Sequence, residues 1–120
     1  MRTRFIVLAV WTLTVILLLV IPLGGDLPGS GIRYFDKIAH FGMFFVTGFL
    51  SVYAFGFLSK LLPRLIFSMI FGVVLSLGTE LGQSLISYRT ASPFDLLADI
   101  VGLVFGLFAF ALLYMWKENI

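Results

Sequence analysis

The chain has 120 residues, 61% hydrophobic and 12% charged, with a formal charge of +2. That length suits one domain, and that composition leaves too little polar surface for a soluble globule. The basic residues are scattered and form no patch, so nucleic acid is not an expected partner. The absence of cysteine excludes disulfides, thiolate metal sites and cysteine nucleophiles.

Apolar runs follow one another at about 5–21, 38–59, 65–86 and 96–116. A membrane-spanning helix needs roughly 20 mostly apolar residues. The expected fold is therefore all-α: a single membrane domain over residues 1–120, built as a bundle of four transmembrane helices. Arg2 and Arg4 precede the first run, as basic residues precede the core of a secretory signal. No small-residue cleavage pattern follows it, only Ile21-Pro22-Leu23-Gly24-Gly25, so a retained helix is expected.

Lysine and arginine set the expected orientation. With the N-terminus inside, Arg2, Arg4, Lys60, Arg64 and Lys117 are cytoplasmic, and Arg33, Lys37 and Arg89 are external. Both termini are then in the cytoplasm. The loop before the second helix and the loop between the third and fourth both face outward.

In the second run, Asp36 and His40 are four positions apart and share a helix face. An acid near a helix N-terminus suits the helix dipole without further purpose. The functional alternative makes His40 an acid/base or ligand held by a carboxylate. Thr47 and Ser51 continue that face with small polar side chains suited to helix contacts.

The third run carries Ser68, Gly72, Ser76 and Glu80 at a spacing of four. Small residues so spaced make a packing seam in lipid. The seam turns Glu80 toward the bundle, with Gln83 one turn further out. A carboxylate at the centre of a membrane helix is unfavourable by about 2.5–3.5 kcal/mol, so Glu80 should be paired or protonated.

Ser92-Pro93-Phe94-Asp95 reads as a capping box with proline at the first helical position. Capping does not explain Asp99, one turn deeper on the same face. That face runs on through Gly102 and Gly106, a G-x-x-x-G contact pattern. Gly72 and Gly102 are thus expected in packing faces and Gly56 outside them.

These polar residues converge near the external side. Glu80 lies only about 9 Å inside its helix end. Arg89 follows across a short turn, so Glu80, Arg89 and His40 are expected to form one coupled unit. His40 and Glu80 are the candidate acid/base groups. Asp36, Lys37, Gln83, Arg89, Ser92, Asp95 and Asp99 are the candidate binding groups. The surplus of acid asks for a held proton, a cationic histidine or a bound cation. No ligand spacing such as H-E-x-x-H is present, so neither a metal nor another cofactor is expected.

D-K-I-A-H-F at 36–41, E-L-G-Q at 80–83, Arg89, Ser92, Asp95 and A-D-I-V-G-L-V-F-G at 98–106 together resemble the VanZ-like family. These are small bacterial membrane proteins named after one that lowers susceptibility to the lipoglycopeptide teicoplanin. The resemblance covers about 36–106, and the first helix carries little of it. Two positions depart from the family pattern: Ser87 stands where proline is typical, and Asp99 where asparagine is usual. The resemblance implies a multi-pass protein of the bacterial cytoplasmic membrane that binds or acts on a cell-envelope component. A lipid-linked wall component or a lipoglycopeptide would fit, with an effect on glycopeptide susceptibility; membrane lipid is the expected surrounding partner.

Three other readings compete. A membrane-embedded enzyme of lipid-linked or cell-wall chemistry would use His40 or Glu80 as acid/base and Arg89 to hold an anion. No serine or cysteine nucleophile stands in a recognised motif to support it. A small proton-coupled transporter is the second, since small multidrug resistance transporters are also short four-helix chains. Those place a glutamate in the first helix, where this chain has no acid. In the third, the acids and bases only hold helices together.

Overall fold

The structure is a computed structural model that describes residues 2–20, 35–84 and 93–118. It comprises α1 (Arg2–Val20), α2 (Phe35–Ala54), α3 (Leu61–Ser84) and α4 (Pro93–Glu118), with a 3-10 turn at Phe55–Phe57 closing α2. The chain is a helical bundle. Three segments, Ile38–Phe57, Leu61–Gly82 and Leu96–Lys117, are long and apolar enough to cross a membrane.

The ends of the helices differ from the apolar runs by a few residues, because helix hydrogen bonding continues into charged flanks where hydropathy has already fallen. Thus α3 begins four residues early and includes Pro63. A proline in the first turn sacrifices no bond, since the first N–H groups of a helix have no partner within it. Pro93 opens α4 for the same reason. At its other end α2 stops short of the expected boundary. The backbone of Leu58 is extended, and its N–H donates to Phe55 O at 3.0 Å.

The surface of the bundle is apolar. On α3, Leu62, Ile66, Ile70, Val74, Leu77 and Leu81 form an exposed stripe at helical spacing. The opposite face buries Arg64, Ser68, Leu75, Ser76 and Thr79. Among the described residues, nine apolar and eight polar side chains are buried. Half of the interior is therefore polar while large aliphatic groups face outward, the reverse of a water-soluble fold. Hydrocarbon is the solvent that makes this arrangement favourable.

The packing is organised around α2 and α4, which share the most extensive interface. Gly102 and Gly106 allow it. A Cβ at either position would collide with a backbone carbonyl of α2, that of Phe41 or of Phe45. From the α2 side, a Cβ at Gly48 would lie 2.6 Å from Leu103 O. Close backbone approach of this kind is what small residues provide in a membrane bundle. Gly72 of α3 does similar duty against the fully buried side chain of Leu103. Phe44, Val15, Leu75 and Leu103 make the apolar centre, contributed by all four helices.

Helix α1 is the peripheral member, touching α2 and α3. It buries Leu8 and Val15, two turns apart, and leaves most of its remaining apolar side chains exposed. Trp11 joins it to α2 by donating Nε1–H to Thr47 Oγ1 at 2.9 Å, while Thr47 donates to Met43 O at 2.8 Å.

Gly56 does not lie outside the packing contacts. A side chain there would overlap the guanidinium of Arg4, because Arg4 and Arg64 both reach the end of α2 at that point. Composition around Gly56 is apolar, so nothing local announced that two arginines from other helices would close over it.

Candidate functional site

The site is assembled where α2, α3 and α4 meet. His40 lies in the second turn of α2, Asp99 in the second turn of α4, and Ser76 two turns before the end of α3. The antiparallel course of α3 between the other two brings these positions to one depth.

Asp99 is the centre. Its side chain is 1% exposed. His40 Nδ1 lies 2.6 Å from Asp99 Oδ1, and Ser76 donates its hydroxyl to Asp99 Oδ2 at 2.7 Å. Both carboxylate oxygens are thus engaged, each by a different helix. A buried carboxylate accepts only, so its neighbours must donate. With Asp99 ionised, His40 therefore donates from Nδ1. Thr79 supports the arrangement from the next turn by donating to Ser76 O at 3.1 Å.

This geometry has a definite chemical consequence. A carboxylate behind a histidine fixes the tautomer of the ring and stabilises its cationic form, the role that the acid plays in hydrolytic triads. Here, however, the serine is on the carboxylate and not on the far nitrogen of the ring. Ser76 orients Asp99 and is not the group that His40 would activate. The arrangement can hold a positive or neutral imidazole rigidly.

The other sequence candidates fall into three groups. Glu80 stands one turn beyond Ser76 on α3, is partly buried, and is itself engaged in an interaction. Asp36 and Lys37 occupy the first turn of α2, Gln83 the last turn of α3, and Asp95 the first turn of α4, all at the end of the bundle that holds His40. For these four the backbone position is what the structure describes. Arg89 and Ser92 lie outside the described residues, and with them the expected coupling of Glu80 to Arg89. The carboxylate that the structure places on Nδ1 of His40 is Asp99, a partner that the sequence pattern did not single out.

Ser76 was legible only as a packing residue. Its spacing from Glu80 put it on the bundle face, and the requirement that a buried Asp99 find a second donor was the remaining clue. Among the described residues, no group of three or more His, Cys, Asp or Glu side chains could hold a metal ion.

The VanZ/LLP1 family model matches residues 3–114. The chain belongs to the VanZ-like family. The match extends through α1, beyond the block of residues from which the resemblance is visible by eye. An uncharacterized protein of Schizosaccharomyces pombe is 31% identical to this VanZ-like chain over 88 residues, 73% of the chain. Those residues make up 54% of that relative, so the chain spans about half its length. No solved structure matches the chain. Family and apolar helices together make it a multi-pass membrane protein.

Proposed function

We propose that this VanZ-like protein uses the His40–Asp99–Ser76 unit to recognise a cell-envelope component at the outer face of a bacterial cytoplasmic membrane. The observation that carries the reading is the burial of Asp99 between two donors from two other helices. Such a unit is more than is needed to join helices that already pack backbone to backbone through Gly102 and Gly106. It holds one titratable ring at the end of the bundle where Asp36, Lys37, Gln83 and Asp95 also begin or end their helices. In this reading α1 is a fourth span and both termini are cytoplasmic, in line with the lysine and arginine distribution. Family membership makes a lipid-linked wall component or a lipoglycopeptide the natural ligand class, and altered teicoplanin susceptibility the natural phenotype.

A second reading is favoured by the same pair: His40 as general base or acid in a reaction of an envelope lipid, with Glu80 as a second proton carrier. Ser76, being tied to Asp99, is not a nucleophile in that reaction. The attacking hydroxyl or water comes with the substrate. A proton-coupled path through the bundle is less well supported. The buried polar side chains end in Arg64 at the other end, and a buried arginine opposes the passage of cations and protons.

The test uses two replacements that separate the ring nitrogens. Asn at position 40 can mimic the Nδ1 donor and keep the bond to Asp99, while Gln reaches to the Nε2 position. Cells producing each form are compared for teicoplanin susceptibility at matched protein levels. Loss of the wild-type effect in a folded His40→Asn protein supports the reading, and full retention in both replacements removes it.

A further inference from the structure

The end of the bundle remote from His40 gathers two arginines over one glycine. Arg64 of α3, 7% exposed, donates Nε–H and Nη2–H to Val52 O at 3.1 and 2.9 Å. Arg4 of α1, half-buried, donates Nη1–H to Tyr53 O at 3.3 Å. Carbonyls left over where α2 stops are thereby satisfied. Aromatic faces lie against both guanidiniums: the Tyr53 ring is 4.7 Å from Arg4, and the Phe110 and Tyr114 rings are 5.1 and 5.5 Å from Arg64. Helix capping explains each arginine taken singly. It does not explain why the two are brought together.

Their convergence is at Gly56. A Cβ there would overlap Arg4 Nη1 and lie 3.3 Å from Arg64 Nη2. Those two nitrogens are near enough for a single oxygen, accepting charged hydrogen bonds of about 2.8 Å, to reach both. Each carries two hydrogens and spends one on a carbonyl. Among the described residues, no further acceptor meets either guanidinium, and no carboxylate pairs with one. The acid–base contact found there is His40 with Asp99, at the other end. Two like charges in a partly dry site repel more strongly than in water. The C-terminus of α2 supplies only about half a negative charge against them.

We propose that Arg4 and Arg64 form a binding site for a small soluble oxyanion of the phosphate type, which bridges the two guanidiniums over Gly56. Planar guanidiniums match phosphate oxygens in geometry and charge. The missing side chain of Gly56 leaves Arg4 the room to reach the bridging position. Just beyond it the chain exposes Ser59 and Lys60, the polar side from which an anion enters. An acyl chain has no place in this site: the open groove on the exposed face of α1, lined by Arg2, Phe5, Ile6 and Ala9, includes neither arginine. A bound anion neutralises the crowded charge and ties the start of α1, the end of α2 and the start of α3 together. This inference does not depend on the role of His40.

Purified protein in an uncharged detergent is titrated with inorganic phosphate, with chloride at matched ionic strength, and with phosphatidic acid, and its melting temperature is read. Arg64 is buried and completes α2, so the substitutions are made at the half-buried Arg4. Inorganic phosphate is expected to raise the melting temperature saturably, as a ligand of the folded state does, and chloride is not. Arg4→Gln, whose amide still donates to a carbonyl, weakens the apparent phosphate affinity by about tenfold or more, the loss of one charged hydrogen bond. Arg4→Lys keeps the charge without the planar fork and falls between the two. The proposal is overturned if phosphate and chloride act alike on the wild-type protein, or if Arg4→Gln responds to phosphate as the wild type does. A rise with phosphatidic acid but none with inorganic phosphate overturns the assignment to a soluble anion.

Discussion

His40 and Asp99 stand 59 positions apart in sequence and meet at 2.6 Å inside the bundle. Ser76 reaches the second oxygen of the same carboxylate. One acid therefore connects the three helices that form the centre of the molecule.

The first prediction concerns what that acid contributes to stability. Asp99→Ala strands a buried imidazole and a buried hydroxyl without their acceptor, and breaking a buried pair typically destabilises by about 3–5 kcal/mol. Asp99→Asn retains one acceptor oxygen for His40, and its amide can donate to Ser76 Oγ. Melting in detergent should show a large loss for alanine and a small one for asparagine. Equal losses would mean that charge, not hydrogen bonding, holds the three helices.

A second prediction follows from the glycines. Gly102→Ala and Gly106→Ala place a methyl group against carbonyls of α2 that cannot move without displacing the helix. Gly42 and Gly78 have open space where a Cβ would go. Alanine at these two should be neutral or stabilising by up to about 1 kcal/mol, the propensity difference within a helix. Thermal unfolding of the four single variants distinguishes the cases. Loss at Gly78 equal to that at Gly102 would contradict the packing described.

Much of this fold was readable in the sequence, because hydropathy and spacing act locally. The apolar runs gave each helix to within a few residues. The G-x-x-x-G of α4 gave its contact face. The spacing of Ser68, Gly72 and Ser76 gave the buried face of α3. What stayed hidden depends on which helix lies next to which. Asp99 was visible as an unexplained buried acid, yet its choice of His40 as partner is set by the α2–α4 interface and not by any local pattern. Arg4 and Arg64 were legible as orientation signals near a membrane boundary. Their joint closure over the end of α2 follows from α2 stopping at Ala54, several residues before hydropathy falls.

The third prediction addresses orientation. The chain has no cysteine, so single replacements at Ser30, Ser59 and Ser87 give clean labelling sites. An impermeant thiol reagent added to intact cells should modify Ser30→Cys and Ser87→Cys and spare Ser59→Cys. Modification of Ser59→Cys alone would invert the protein and move the His40 end to the cytoplasm.

The central claim is that Asp99 holds His40 as the Nδ1–H tautomer. The chain has one histidine, so a ¹⁵N-labelled imidazole gives a single, unambiguous pair of ring signals. The direct measurement is the ¹⁵N and ¹H spectrum of that ring with the protein in lipid bilayers, wild type beside Asp99→Ala. The account predicts a proton on Nδ1 in a short hydrogen bond, and loss of that bond in Asp99→Ala. A wild-type ring protonated on Nε2 with a bare Nδ1 would contradict it.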